Sequence, residues 1–112
     1  MLTNTAPVAT NAVYGDISGN ELANGNGYTT GGATVTGQGY SQTAGVATLT
    51  GTLANPTWTA TGSMGPFRYA VLYDSSAATK VLIGFWDYGS SVTLTSGQTF
   101  TVSITSGILT LQ

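Results

Sequence analysis

Turn signals interrupt this chain about every 8–12 residues from Tyr28 onward, and the pieces between them are too short for ordinary helices. Gly31-Gly32, Gly37-Gln38-Gly39, Ala44-Gly45, Asn55-Pro56, residues 62–66, residues 74–79, Gly89-Ser90, Ser96-Gly97 and Ser106-Gly107 punctuate it. Between them lie segments of strand length at residues 33–36, 46–53, 57–61, 67–73, 80–88, 92–95, 99–105 and 108–111, rich in Val, Ile, Thr and aromatic residues. That spacing predicts an all-β fold, a single antiparallel β-sandwich of about eight short strands with at most one short helix.

The alternation within the segments assigns their faces. In 99–105, Phe100, Val102 and Ile104 share one side and four Thr or Ser residues the other, the pattern of a sheet with one wet face. Trp58 and Ala60 oppose three threonines in the same way. Residues 67–73 and 81–86 are instead apolar on nearly both sides, which predicts two antiparallel partners at the sheet centre. One face is expected to lie under a second sheet. The other needs the N-terminal segment, the short helix or another subunit over it, so this hairpin is the sequence's main sign of an interface.

Residues 1–12 read as an extended N-terminal arm ahead of a sandwich of 13–112, because 2–11 are Thr, Asn and Ala with a Pro and no period. Leu2, Pro7 and Val8 are the apolar handles of that arm, and they are the candidate contacts with a neighbouring subunit. Residues 13–22 hold one helical turn at most: Ser18 and Glu21 have capping-box spacing, but Asn24-Gly25-Asn26-Gly27 follows at once. The start has neither a basic nor an apolar signal region, and no apolar run approaches the ~20 residues that span a bilayer. The expectation is a short, complete product made in a cytosol, and the absence of Cys fits that compartment.

Of 112 residues, two are Lys or Arg, four are Asp or Glu, and none is His or Cys. The usual bases, nucleophiles and transition-metal ligands are therefore scarce. A formal charge of −2 gives no basic patch for nucleic acid or anionic membrane, and so few charges leave little to keep copies apart. Asp16, Glu21, Asn24 and Asn26 form the single cluster of oxygen ligands. Their spacing is not that of the twelve-residue calcium loop, so they read as a solvated turn. Arg68 is expected to snorkel or to pair with Asp87, and Asp74 to face Lys80 across the central hairpin. No pair of carboxylates has glycosidase spacing, Lys80 stands in no Ser-Lys motif, and no Gly-Lys-Ser/Thr follows the glycines. No catalytic residue, metal or cofactor is expected. The aromatics leave glycan binding open, with Tyr28 and Tyr40 as the loop platforms and Trp58 assigned to the core.

Several stretches taken together resemble a known group. Gly25-Asn-Gly-Tyr-Thr-Thr-Gly-Gly-Ala33, Val35-Thr-Gly37, Pro56-Thr-Trp-Thr59, Arg68-Tyr-Ala-Val-Leu-Tyr73, Leu82-Ile-Gly-Phe85, Asp87-Tyr-Gly89 and Gly107-Ile-Leu-Thr-Leu111 look like small virion structural proteins of tailed bacteriophages, over about the C-terminal three-quarters of the chain. The resemblance implies a capsid decoration (cement) protein on the outer shell, partnered with the major capsid protein, and it transfers no catalytic residues. A homotrimer at three-fold sites, without nucleic acid or membrane as partner, is the matching expectation. A tail-fibre or spike module that recognises host glycan, and a head-tail connector, are the alternatives.

Overall fold

The computed structural model describes residues 1–37, 39–44, 46–50, 54–104 and 109–111, with backbone alone for 39–43, 46–50 and 109–111. Within these residues the strands are β1 (Leu2–Thr3), β2 (Gly39–Thr43), β3 (Val46–Thr50), β4 (Thr57–Thr59), β5 (Met64–Tyr73), β6 (Leu82–Leu94), β7 (Thr99–Thr101) and β8 (Leu109–Leu111). All the pairings given by register are antiparallel. The chain is mostly β, as its turn spacing predicts, and only β5 and β6 are long. Residues 33–36, expected as a strand, carry none. The single helical turn expected at 13–22 is instead two 3-10 turns, Tyr14–Asp16 and Ser18–Asn20.

The chain divides into two compact units, Met1–Gly32 with Thr59–Thr99, and Ala33–Trp58 with Phe100–Gln112. In the second unit β2, β3 and β8 form one sheet, with Gly39 opposite Thr50 and Ala47 opposite Leu111. Ala44, in the left-handed region at φ 52°, turns β2 into β3. Phe100, Val102 and Ile104 are half-buried while Thr99, Thr101 and Ser103 are exposed, so the predicted alternation holds over 99–104, and Thr105 lies outside the described residues. The Trp58 and Phe100 rings lie 6.3 Å apart.

In the first unit the sheet runs β1-β5-β6. The expected hairpin is present, with Ala70 opposite Trp86 and Val71 opposite Phe85. The arm is not. Met1, Leu2 and Thr3 are buried, Leu2 completely, and β1 pairs with β5 through Leu2–Ala70 and Thr3–Tyr69. Its other edge is taken as well: the Leu22 amide donates to the Leu2 carbonyl at 2.9 Å, and Thr3 bridges Glu21. Two residues show no period, but between two neighbours they satisfy their backbone and bury a Leu, which stabilises this segment far more than solvent contact would. Residues 1–3 of the expected arm therefore belong to the sheet, while residues 4–12 are exposed or half-buried.

On one face of the sheet Met1 and Ile17 cluster with Val71, flanked by Tyr14, Tyr73 and Leu82. The N-terminal segment and the 3-10 turns thus supply the cover that the two-sided hairpin required. Leu2, Tyr28, Ala60, Met64, Phe67, Ala70 and Leu94 are the other buried apolar residues of this unit. Gly27, at φ 97°, has no room for a side chain: a Cβ there would meet the Thr59 carbonyl.

Candidate functional site

Each charged side chain is held by the chain's own groups. Glu21 is the busiest. Its Oε2 accepts from the Tyr14 hydroxyl at 2.5 Å, and its Oε1 accepts from the Tyr28 hydroxyl at 2.6 Å and the Gly31 amide at 2.7 Å. The Tyr28 oxygen in turn accepts from the Leu2 amide at 3.0 Å, and Tyr73 donates to the Gly31 carbonyl at 2.7 Å. One carboxylate thereby ties the 3-10 turns, the Tyr28 loop and β1 together. Glu21 at its hydroxyl, more than burial, pushes Tyr14 up to about 12. Burial first and then Glu21 push Tyr28 well above its ordinary value.

The Met1 amine donates to the Val71 carbonyl at 2.7 Å, and burial lowers it to about 6 against the pull of Glu21. Asp16 accepts from the Ala12 and Val13 amides, which hold it below the carboxylate range. Asn24 accepts from the Thr30 amide, and Asn26 donates to the Ser63 carbonyl. The four residues singled out as oxygen ligands are thus each occupied in shaping turns. Among the described residues no group of three or more acidic, His or Cys side chains is placed to hold a metal.

Arg68 and Asp87 do pair, in a two-pronged contact of 2.7 Å and 2.8 Å that holds Asp87 down to about 2. Asp74 and Lys80 go separate ways. Asp74 accepts from the Ser76 amide and hydroxyl, while the Lys80 ammonium sits 4.9 Å from the Tyr14 ring centre.

Of the glycan platforms, Tyr28 is buried in the Glu21 network and presents no face, and the side chain of Tyr40 lies outside the described residues. Trp58 is buried, as expected. The exposed large apolar side chains lie elsewhere: Val8, and then Val81, Ile83, Phe85, Trp86 and Tyr88 along and just before β6. The three proposed contact residues part company. Leu2 is fully buried in its own unit, Pro7 is half-buried, and Val8 is 60% exposed at the start of a turn closed by two hydrogen bonds with Asn11. A turn of that kind presents Val8 in a fixed position.

No family model matches the chain, and no curated protein or solved structure matches it significantly.

Proposed function

We propose that this chain is a structural protein of a tailed-bacteriophage virion, a decoration (cement) protein that binds the outer surface of the assembled head through the major capsid protein and stabilises it. What supports this reading is the division of labour among its side chains. All six charged groups are engaged within the chain itself, and large apolar side chains stand exposed at Val8 and along and just before β6. A surface of that kind is suited to association rather than chemistry. The resemblance set out above points the same way. A β-sandwich of about eight strands is the architecture we attach to this role, since a rigid body that binds only the assembled lattice stabilises it by mass action.

Pro7 and Val8 are the capsid-facing handles that remain once Leu2 is withdrawn into the body. Val8→Asp is expected to leave the melting temperature within about 1–2 °C, because the side chain is exposed, while weakening binding to capsids by about tenfold. Co-sedimentation with capsids that lack the protein measures this, and unchanged binding removes Val8 from the interface.

A glycan-recognising tail-fibre module is the second reading, carried by the exposure of Trp86 and Tyr88. Particle microscopy separates the two. A cement protein covers the shell in hundreds of copies, and a fibre module appears in a few copies at the tail.

A further inference from the structure

We propose that Asn26-Gly27 is a site of spontaneous deamidation in the folded chain, and that the hydrogen bond from the Asn26 side chain to the Ser63 carbonyl, seated over Gly62, sets its rate. The chemistry needs only water. The Gly27 backbone nitrogen attacks the Asn26 side-chain carbonyl carbon, and the new C–N bond closes a cyclic imide. The bond from that carbon to the side-chain nitrogen breaks, and the nitrogen leaves as ammonia with the proton given up by the Gly27 amide. Water then opens the imide at either carbonyl, which leaves aspartate or, with the backbone rerouted through the side chain, isoaspartate. A following glycine favours the attack, since it has no Cβ to hinder the approach and its backbone turns freely.

Two asparagines of the chain precede a glycine, Asn24 and Asn26, and all four residues are exposed to water. The fold treats the two pairs differently. The Gly25 amide donates to the Tyr28 carbonyl at 2.8 Å, and the Tyr28 amide donates to the Gly25 carbonyl at 3.0 Å. These bonds close a two-residue hairpin turn with Asn26 and Gly27 at its centre, at φ 54° and 97°, the left-handed pair that Asn-Gly suits. The Gly25 nitrogen, which would attack Asn24, is thus committed to the turn. The Gly27 amide makes no hydrogen bond among the described residues.

What restrains Asn26 is its own side chain. Its Nδ2 donates to the Ser63 carbonyl at 2.9 Å, and its backbone carbonyl accepts from the Thr61 amide at 3.0 Å. Gly62 leaves the space in which that side chain lies, for a Cβ there would fall 2.5 Å from the Asn26 Oδ1. The nitrogen that must leave is the one Ser63 holds, so that bond is given up before the imide closes. Either product undoes the tie. Aspartate at 26 sets a carboxylate against the Ser63 carbonyl, acceptor against acceptor. Isoaspartate adds a backbone atom to a two-residue turn, which then cannot keep both Gly25–Tyr28 bonds. Tyr28 is the next residue, and its hydroxyl donates to Glu21, so the modification loosens the segment that carries this contact.

Ageing the folded full chain in mildly alkaline buffer, with peptide mass spectrometry to read ammonia loss and water uptake at each site, tests this. Modification is expected to accumulate at Asn26 about tenfold faster than at Asn24, the scale set by one hydrogen bond. Gly62→Ala, at a position whose φ suits any residue, pushes the Asn26 side chain off the Ser63 carbonyl. It is expected to speed the reaction at Asn26 by about tenfold and to leave Asn24 unchanged. A folded chain in which Asn24 reacts first, one in which Asn26 stays unmodified, or a Gly62→Ala chain with an unaltered rate at Asn26 overturns the proposal. Should Gly62→Ala fail to melt cooperatively, the unsubstituted chain decides. A preference for Asn26 that vanishes in denaturant is expected, and the same ratio of the two rates in folded and unfolded chain overturns it.

Discussion

Glu21 shows how much one side chain does in a chain with so little charge. Its carboxylate accepts three donors from three separate segments, and hydrogen bonds to an ionised group contribute about 1.5–3 kcal/mol each. Glu21→Gln turns one acceptor into a donor that faces hydroxyls already placed to donate. The expected cost is about 2 kcal/mol, a fall in melting temperature on the order of 10 °C, and a calorimetric scan measures it. A scan of Glu21→Gln that coincides with the unsubstituted chain contradicts the network's role. The Met1 amine gives the residue scale its pH dependence. Its folded value of about 6 lies below the ordinary value of 8.0, so the unfolded chain binds more protons between those limits and stability rises with pH across them. Melting temperature measured from pH 6 to pH 8 is expected to climb. A flat or falling profile in that window contradicts the burial of the amine. The depressed Asp87 acts at the other end of the scale, where its contribution is present above about 4 and lost as pH falls toward about 2.

Among the elements, β1 departs furthest from what the amino-acid order suggests. Leu2 is fully buried and paired on both sides, so Leu2→Asp, or deletion of residues 2–11, is expected to abolish cooperative folding of the first unit, read by loss of its thermal transition. Ile83→Asp is expected to leave the chain folded, because Ile83 lies on the solvent side of an edge strand, whereas Val71→Asp is not tolerated. The hairpin of β5 and β6 was legible because its apolar run is long enough to show a pattern, and so were the faces of Trp58 and Phe100. The two residues of β1 have no period to read, and their partners Ala70 and Tyr69 stand far from them along the chain. Gly89-Ser90 reads as a turn between two strands, yet β6 runs through it as one bulged strand. The Glu21 network was hidden for a related reason, since an acidic residue among Asn and Gly resembles a solvated loop. One signal was available: Tyr14 and Tyr28 each stand seven residues from it, one on either side.

At the scale of the whole molecule, the charged groups are bonded within the chain, most of them at its surface, and large apolar side chains stand exposed at Val8 and along and just before β6. No helix among the described residues is long and apolar enough to cross a membrane. Copies that bind an assembled shell raise its resistance to heat and internal pressure only if they occupy the lattice at high density. The most direct test is to add the purified chain to heads lacking it, and to follow both saturation and the temperature at which DNA escapes. Saturable binding of hundreds of copies per head and a higher release temperature are expected. Heads that take up none of the chain, or that bind it without any rise in release temperature, contradict the proposed role.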